Sequence, residues 1–156
     1  MFEPYKDPVS ARRRRILDLH THPVMVHFPQ AFALTLFLLG FLAWVFPAEA
    51  FKNEIGAAAR VLSVLLPFFV IGAVLTGLLD GKLRFRKVTT PMLKKKILLS
   101  LIFFVISVFM ALGVTLRWEF LQAYPLLSLV LALAVSLCGA FLGLIGGKLL
   151  NAKFPG

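Results

Sequence analysis

Apolar residues along this chain gather into four long runs, at roughly 24–46, 58–79, 97–116 and 126–147, and nearly all charged residues fall between them. Each run is about 20 residues long and almost uncharged, which at ~1.5 Å per residue matches a hydrocarbon core of ~30 Å. A backbone in lipid must satisfy its own polar groups, so each run predicts a spanning helix. The connections are short, so neighbouring helices should run antiparallel. The expected fold is an all-α, integral membrane four-helix bundle with up-down-up-down topology. It divides into a basic N-terminal segment (1–22), the four-helix domain (23–150) and a short tail (151–156), leaving no room for a soluble catalytic domain.

Charge then orients the bundle. The chain has 156 residues, 60% of them apolar and 15% charged, with a mean hydropathy of +0.90 and a net charge of +10. On a soluble domain that excess would suggest nucleic acid. Here 14 of the 17 Lys and Arg lie in the N-terminal segment, the second connection and the tail, against Lys52, Arg60 and Arg117 on the other side. The positive-inside rule therefore puts both termini in the cytoplasm. Trp44, Trp118 and Tyr124 mark the opposite interface as an aromatic belt. In the N-terminal segment Asp7 can cap and Pro8 can begin a helix over about 8–20. Its apolar face of Val9, Ile16, Leu17 and Leu19 is broken by Arg12 and Arg13. That suits either an interfacial helix on anionic lipid or a basic tail. The first apolar run and the segment before it are both too long for a signal peptide, despite the small residues of "PAEA" (47–50). The pattern predicts an uncleaved anchor.

Few residues offer chemistry. The single Cys138 lies in an apolar run and suits packing, with no C-x-x-C for a metal or cluster. No acidic residue sits deep in a span, which counts against a proton relay or an ion-coupled transporter. Pro67 should kink helix 2 near mid-membrane and open a polar cavity, the feature a small-solute transporter would need. "GAVLTG" (72–77) and "GAFLGLIGG" (139–147) are expected to end helices 2 and 4. Gly139 and Gly143 form a G-x-x-x-G suited to close packing within the bundle or to a homodimer face. "THP" (21–23) and "TTP" (89–91) share one helix-start grammar, with Pro at the first helical position, consistent with a loose duplication of helices 1–2 and 3–4. Ser100, Ser107, Thr115, Ser128 and Ser136 can bond locally or across helices. Lys94, Lys95 and Lys96 oppose the dipole of helix 3 by a few tenths of a kcal/mol each, roughly the size a topogenic role outweighs. With Thr89 and Thr90 they could also hold the phosphate of an anionic lipid or an acidic partner.

The stretch "HTHPVMVHFP" (20–29) contains all three histidines. His22 and His27 are five apart, ~140° around a helix, whereas chelation from one helix favours i, i+4. Pro29 removes a donor and loosens this turn, but no carboxylate or thiol stands beside the histidines within the span. Helices 2, 3 and 4 have no histidine, so one chain lacks a bis-histidine haem site. Haem b could be held by His22 or His27 with Met92 or Met110 as second ligand, as five-coordinate haem, or with a ligand from another chain. The alternative has His22 capping helix 1 and His27 bonding to Asp80 or to backbone groups at the rim.

"HPVMVHFPQAFAL" (22–34) resembles the H-P-x-x-V-H-F-P signature of an uncharacterised bacterial membrane family, domain of unknown function 2231. "LTGLLDG" (75–81) is similar to that family's small-Gly-x-x-Asp element, and "GAFLGLIGGKL" (139–149) to its glycine-rich fourth helix. Lys148 stands where relatives often have Glu. "PMLKKK" stands where many have a histidine near the start of helix 3. Over residues 22–150 the resemblance implies four helices in a bacterial cytoplasmic (inner) membrane. Rubredoxin-like modules joined to some relatives imply redox company, but the resemblance implies no established activity.

The expected function is a non-enzymatic accessory or assembly component that packs against a membrane-protein partner or its own copies and rests on anionic lipid, without nucleic acid. A haem- or metal-binding electron-transfer protein using His22 or His27 is the alternative, and a small-solute transporter the third. No catalytic residue and no metal-ligand set is expected.

Overall fold

The structure, a computed structural model, describes residues 21–46, 49–85, 91–118 and 125–151. The helix expected over 8–20, and Thr89, Thr90 and Tyr124, lie outside the described residues. Four helices follow one another: α1 (Thr21–Val45), α2 (Glu49–Phe85), α3 (Pro91–Thr115) and α4 (Pro125–Asn151). Both α3 and α4 open on proline, whose missing N–H lies among the donors a first turn leaves unused anyway. Pro23 lies within α1, and the comparison of "THP" with "TTP" falls partly outside the described residues. The chain is turned out of α3 at residue 117, two positions beyond its last residue. Arg117 takes a left-handed φ of 50°, and the Trp118 N–H closes onto the Gly113 carbonyl at 2.9 Å. This is a Schellman closure whose left-handed position is usually glycine, and a residue with a Cβ there costs about 1 kcal/mol.

Each helix packs against two neighbours: α1 and α3 each lie between α2 and α4. The start of α1 meets the end of α2 and the start of α3, as His22 bonds to Thr76 and Lys96 show. The expected antiparallel bundle is therefore what forms. Its core is a narrow column of Ala33, Leu36, Leu66, Val70, Phe103, Met110, Ala132 and Val135, with the fully buried Ser107 donating to the Phe104 carbonyl of its own helix. All four helices are long and apolar enough to cross a membrane. Only 17–28% of positions in their most apolar windows are buried, so the outward faces are as apolar as the inward ones. Water would not tolerate that surface, whereas hydrocarbon does. The chain is a multi-pass membrane protein.

Three expectations change. First, α2 starts at Glu49 and runs 37 residues, ~55 Å, so it outreaches a ~30 Å hydrocarbon core. Arg60, assigned by charge counting to the first connection, is inside this helix. Second, the glycine clusters do not end their helices, since α2 continues to Phe85 and α4 to Asn151. An interior glycine costs ~1 kcal/mol, less than leaving backbone groups unpaired in an apolar medium. Third, the polar cavity expected beside Pro67 is neither of the two cavities described below: Pro67 is buried within α2 and lines neither.

The column predicts sharply unequal sensitivity. Leu66 is fully buried and Leu101 is 56% exposed. Lipid can refill the surface at Leu101 but cannot reach the hole left at Leu66. Thermal unfolding in detergent should show Leu66→Ala losing about 2 kcal/mol or more, and Leu101→Ala changing by less than about 0.5 kcal/mol.

Candidate functional site

Two polar side chains of α1, His22 and Gln30, are spent on the other three helices. Pro29, Ala33 and Leu36 are buried at helical spacing, and His22 and Gln30 fall on the same inward side. Thr76 donates its only hydroxyl hydrogen to helix carbonyls, Gly72 at 2.9 Å and Ala73 at 3.1 Å. Its oxygen can then only accept from His22, whose Nδ1 lies 3.3 Å away. Lys96 Nζ stands 3.3 Å from Nε2 on the far side of the ring, and an ammonium can only donate. Both contacts are satisfied by one species, neutral imidazole with the proton on Nδ1. Ser100 donates to the Lys96 carbonyl at 2.9 Å.

Glycines make the room. A Cβ on Gly77 would fall 2.8 Å from His22 Cε1, and one on Gly72 would fall 2.6 Å from Met25 Cε. Gly146 lies against the Lys96 head, so α1, α2, α3 and α4 all contribute to one junction. About two turns deeper, ~12 Å along α1, Gln30 Nε2 donates to the Gly139 carbonyl at 3.0 Å. A Cβ on Gly143 would sit 3.0 Å from that same nitrogen. The G-x-x-x-G of α4 is thus filled by Gln30 from within the chain. Between junction and amide lies a mostly apolar cavity of about 350 Å³, with His22, Gln30, Lys96 and Ser100 as its polar points.

The two histidines part company, as their spacing implies. His27 is exposed and donates from Nδ1 to the Pro23 carbonyl of its own helix. His22 does not cap α1, because the helix begins before it and its ring reaches across to α2 and α3. Asp80, proposed as the partner of His27, has no described side chain. Of the lysines, Lys94 and Lys95 are exposed while Lys96 turns inward. Met110 is buried at the other end of the bundle, 14 residues or ~21 Å beyond Lys96, and so cannot share a ligand with either histidine. Among the described residues no three His, Cys, Asp or Glu side chains gather as a metal-ligand group.

Sequence reasoning missed the His22–Thr76–Lys96 junction and the Gln30–Gly139 bond. The available signal was that Gln30 lies eight residues from His22, on the same face of α1. Compared with protein-family models, curated proteins and solved structures, the chain matches none.

The glycine slot gives a signed prediction. Gly77→Ala should destabilise the protein, because His22 is bonded through both ring nitrogens and cannot yield freely. In a His22→Ala background the same change should be neutral or stabilising by up to about 1 kcal/mol through helix propensity. A double-mutant cycle read by thermal unfolding should show a coupling of about 1 kcal/mol or more.

Proposed function

We propose that this is a non-enzymatic accessory or assembly protein of a bacterial cytoplasmic membrane, packing against membrane partners. One observation carries the reading. Two of the candidate residues, His22 and Lys96, are engaged with Gln30 in joining the chain's own helices. Groups used in this way specify a shape instead of turning over a substrate. The excess of basic residues favours cytoplasmic termini, with the exposed Lys94 and Lys95 available to anionic headgroups and Lys96 withdrawn from them. Thr90 belongs to the same proposed contact by sequence alone.

A second reading is favoured by His27. Its Nδ1–H is held by a backbone carbonyl, the arrangement that aims Nε2 of a metal-ligating histidine outward. Its exposure means that a haem or metal there would be completed from outside the bundle, by a partner or a second copy.

Purification from native membranes in mild detergent, with an absorption spectrum and metal analysis, separates the two. The accessory reading expects a colourless protein that brings the same partner from preparation to preparation, and a solitary monomer would sink it. A Soret band kept in Leu38→Ala and lost in His27→Ala would establish the second reading in its place.

A further inference from the structure

At the Trp44 end, opposite the histidine junction, the bundle holds a larger cavity. Its volume is about 860 Å³, and it lies between the last turns of α1 and α3 and the first turns of α2 and α4. From Arg117 near the mouth to Met110 is seven residues along α3, ~10 Å of depth. Most of the wall is apolar, but Arg60 and Arg117 both line it. No carboxylate is among the described residues that line it.

Arg117 is placed at some conformational cost, and Arg60 stands well inside α2. Arg60 is seven residues beyond Asn53, where the apolar span of α2 begins, and both arginines are exposed as well as lining the cavity. Arg117 occupies the left-handed position where the closure of α3 would ordinarily have glycine. Space is also held open. Gly40, Gly56 and Gly113 line the cavity, and a Cβ added at Gly56 would meet nothing within 4 Å.

We propose that this cavity binds an anionic amphiphile, its carboxylate or phosphate monoester head held by Arg60 and Arg117 and its apolar body directed towards Met110. Two cations without a lining carboxylate disfavour a cationic ligand. Guanidinium is suited to bidentate binding of both oxyanion types. The volume falls in the ~300–1,000 Å³ range of small-molecule sites. The inference is independent of the accessory reading, because it uses neither the histidine junction nor a protein partner.

Trp44 lines the cavity and reports on it. The full chain carrying Trp118→Phe, in nonionic detergent, would be titrated with 9,10-dibromostearate, with its methyl ester, and with a phosphate monoester of the same brominated chain. The acid or the phosphate should quench Trp44 saturably at one per chain, and the ester should not. Apparent affinity should fall at least tenfold in Arg60→Gln and in Arg117→Gly, persist in Lys94→Gln, and vanish in Gly56→Phe. Arg117→Gly relieves the left-handed φ and Gly56→Phe grows into open space, so both should keep their thermal midpoint. Quenching by the acid alone would identify a fatty carboxylate as the source, and by the phosphate alone a lipid phosphate. Non-saturable quenching, or equal quenching by acid, phosphate and ester, would overturn the proposal whatever the variants do. Indifference of a folded Arg60→Gln and Arg117→Gly pair would do the same.

Discussion

Hydrocarbon does not distinguish an apolar helix face from another apolar helix face. In water the burial of leucine would tell each helix which way to turn. In a bilayer that preference vanishes, and packing fit and hydrogen bonds between helices must supply it. This bundle meets the constraint through α1. His22 and Gln30 reach across to α2, α3 and α4, and glycines on α2 and α4 recede to admit them. The buried column in the middle is made of ordinary apolar side chains that could pack in several rotations. The polar bonds and glycine slots select one.

The division of labour explains what the sequence could reveal. Span number, helical class and antiparallel order are consequences of run length, lipid thickness and short connections, all of which are linear properties of the chain. The clusters at 72–77 and 139–147 do not end their helices, because glycine is punctuation in water and not here. In water a glycine cluster is a plausible stop. In lipid, stopping exposes carbonyls, and those glycines serve as recesses for Met25, His22 and Gln30. The separate fates of His22 and His27 were legible in their five-residue spacing. The partners of His22 were not, because Thr76 and Lys96 lie 54 and 74 residues away and neither carries a ligand motif. Arg60 and Arg117 were visible only as the minority charge of the less basic side. Nothing linear indicates that one cavity gathers both.

The two ends of the bundle are built on opposite principles. At the histidine end, donors and acceptors are matched: the Thr76 hydroxyl is committed to its own helix, the imidazole is fixed as one tautomer, and Lys96 is drawn inward. At the Trp44 end, helices are held apart by missing side chains and the guanidiniums face space. A matched junction resists rearrangement, because moving one member exposes the others in low dielectric. An open end with unmatched charge can take up a molecule without first breaking anything. The rigid end thus serves as the fixed reference against which the other end can accommodate an occupant.

The Gln30–Gly139 bond joins the first helix to the last, 109 residues apart. A ribosome delivers α1 to the membrane long before α4 is made. Until α4 arrives, the Gln30 amide lacks its native acceptor, and an unsatisfied amide in an apolar medium is costly. Arrival of α4 ends that exposure in one step and draws both ends of the chain together. The bond therefore acts in time as well as in space. It ties the placement of α1 to the presence of α4, 109 residues further along the chain.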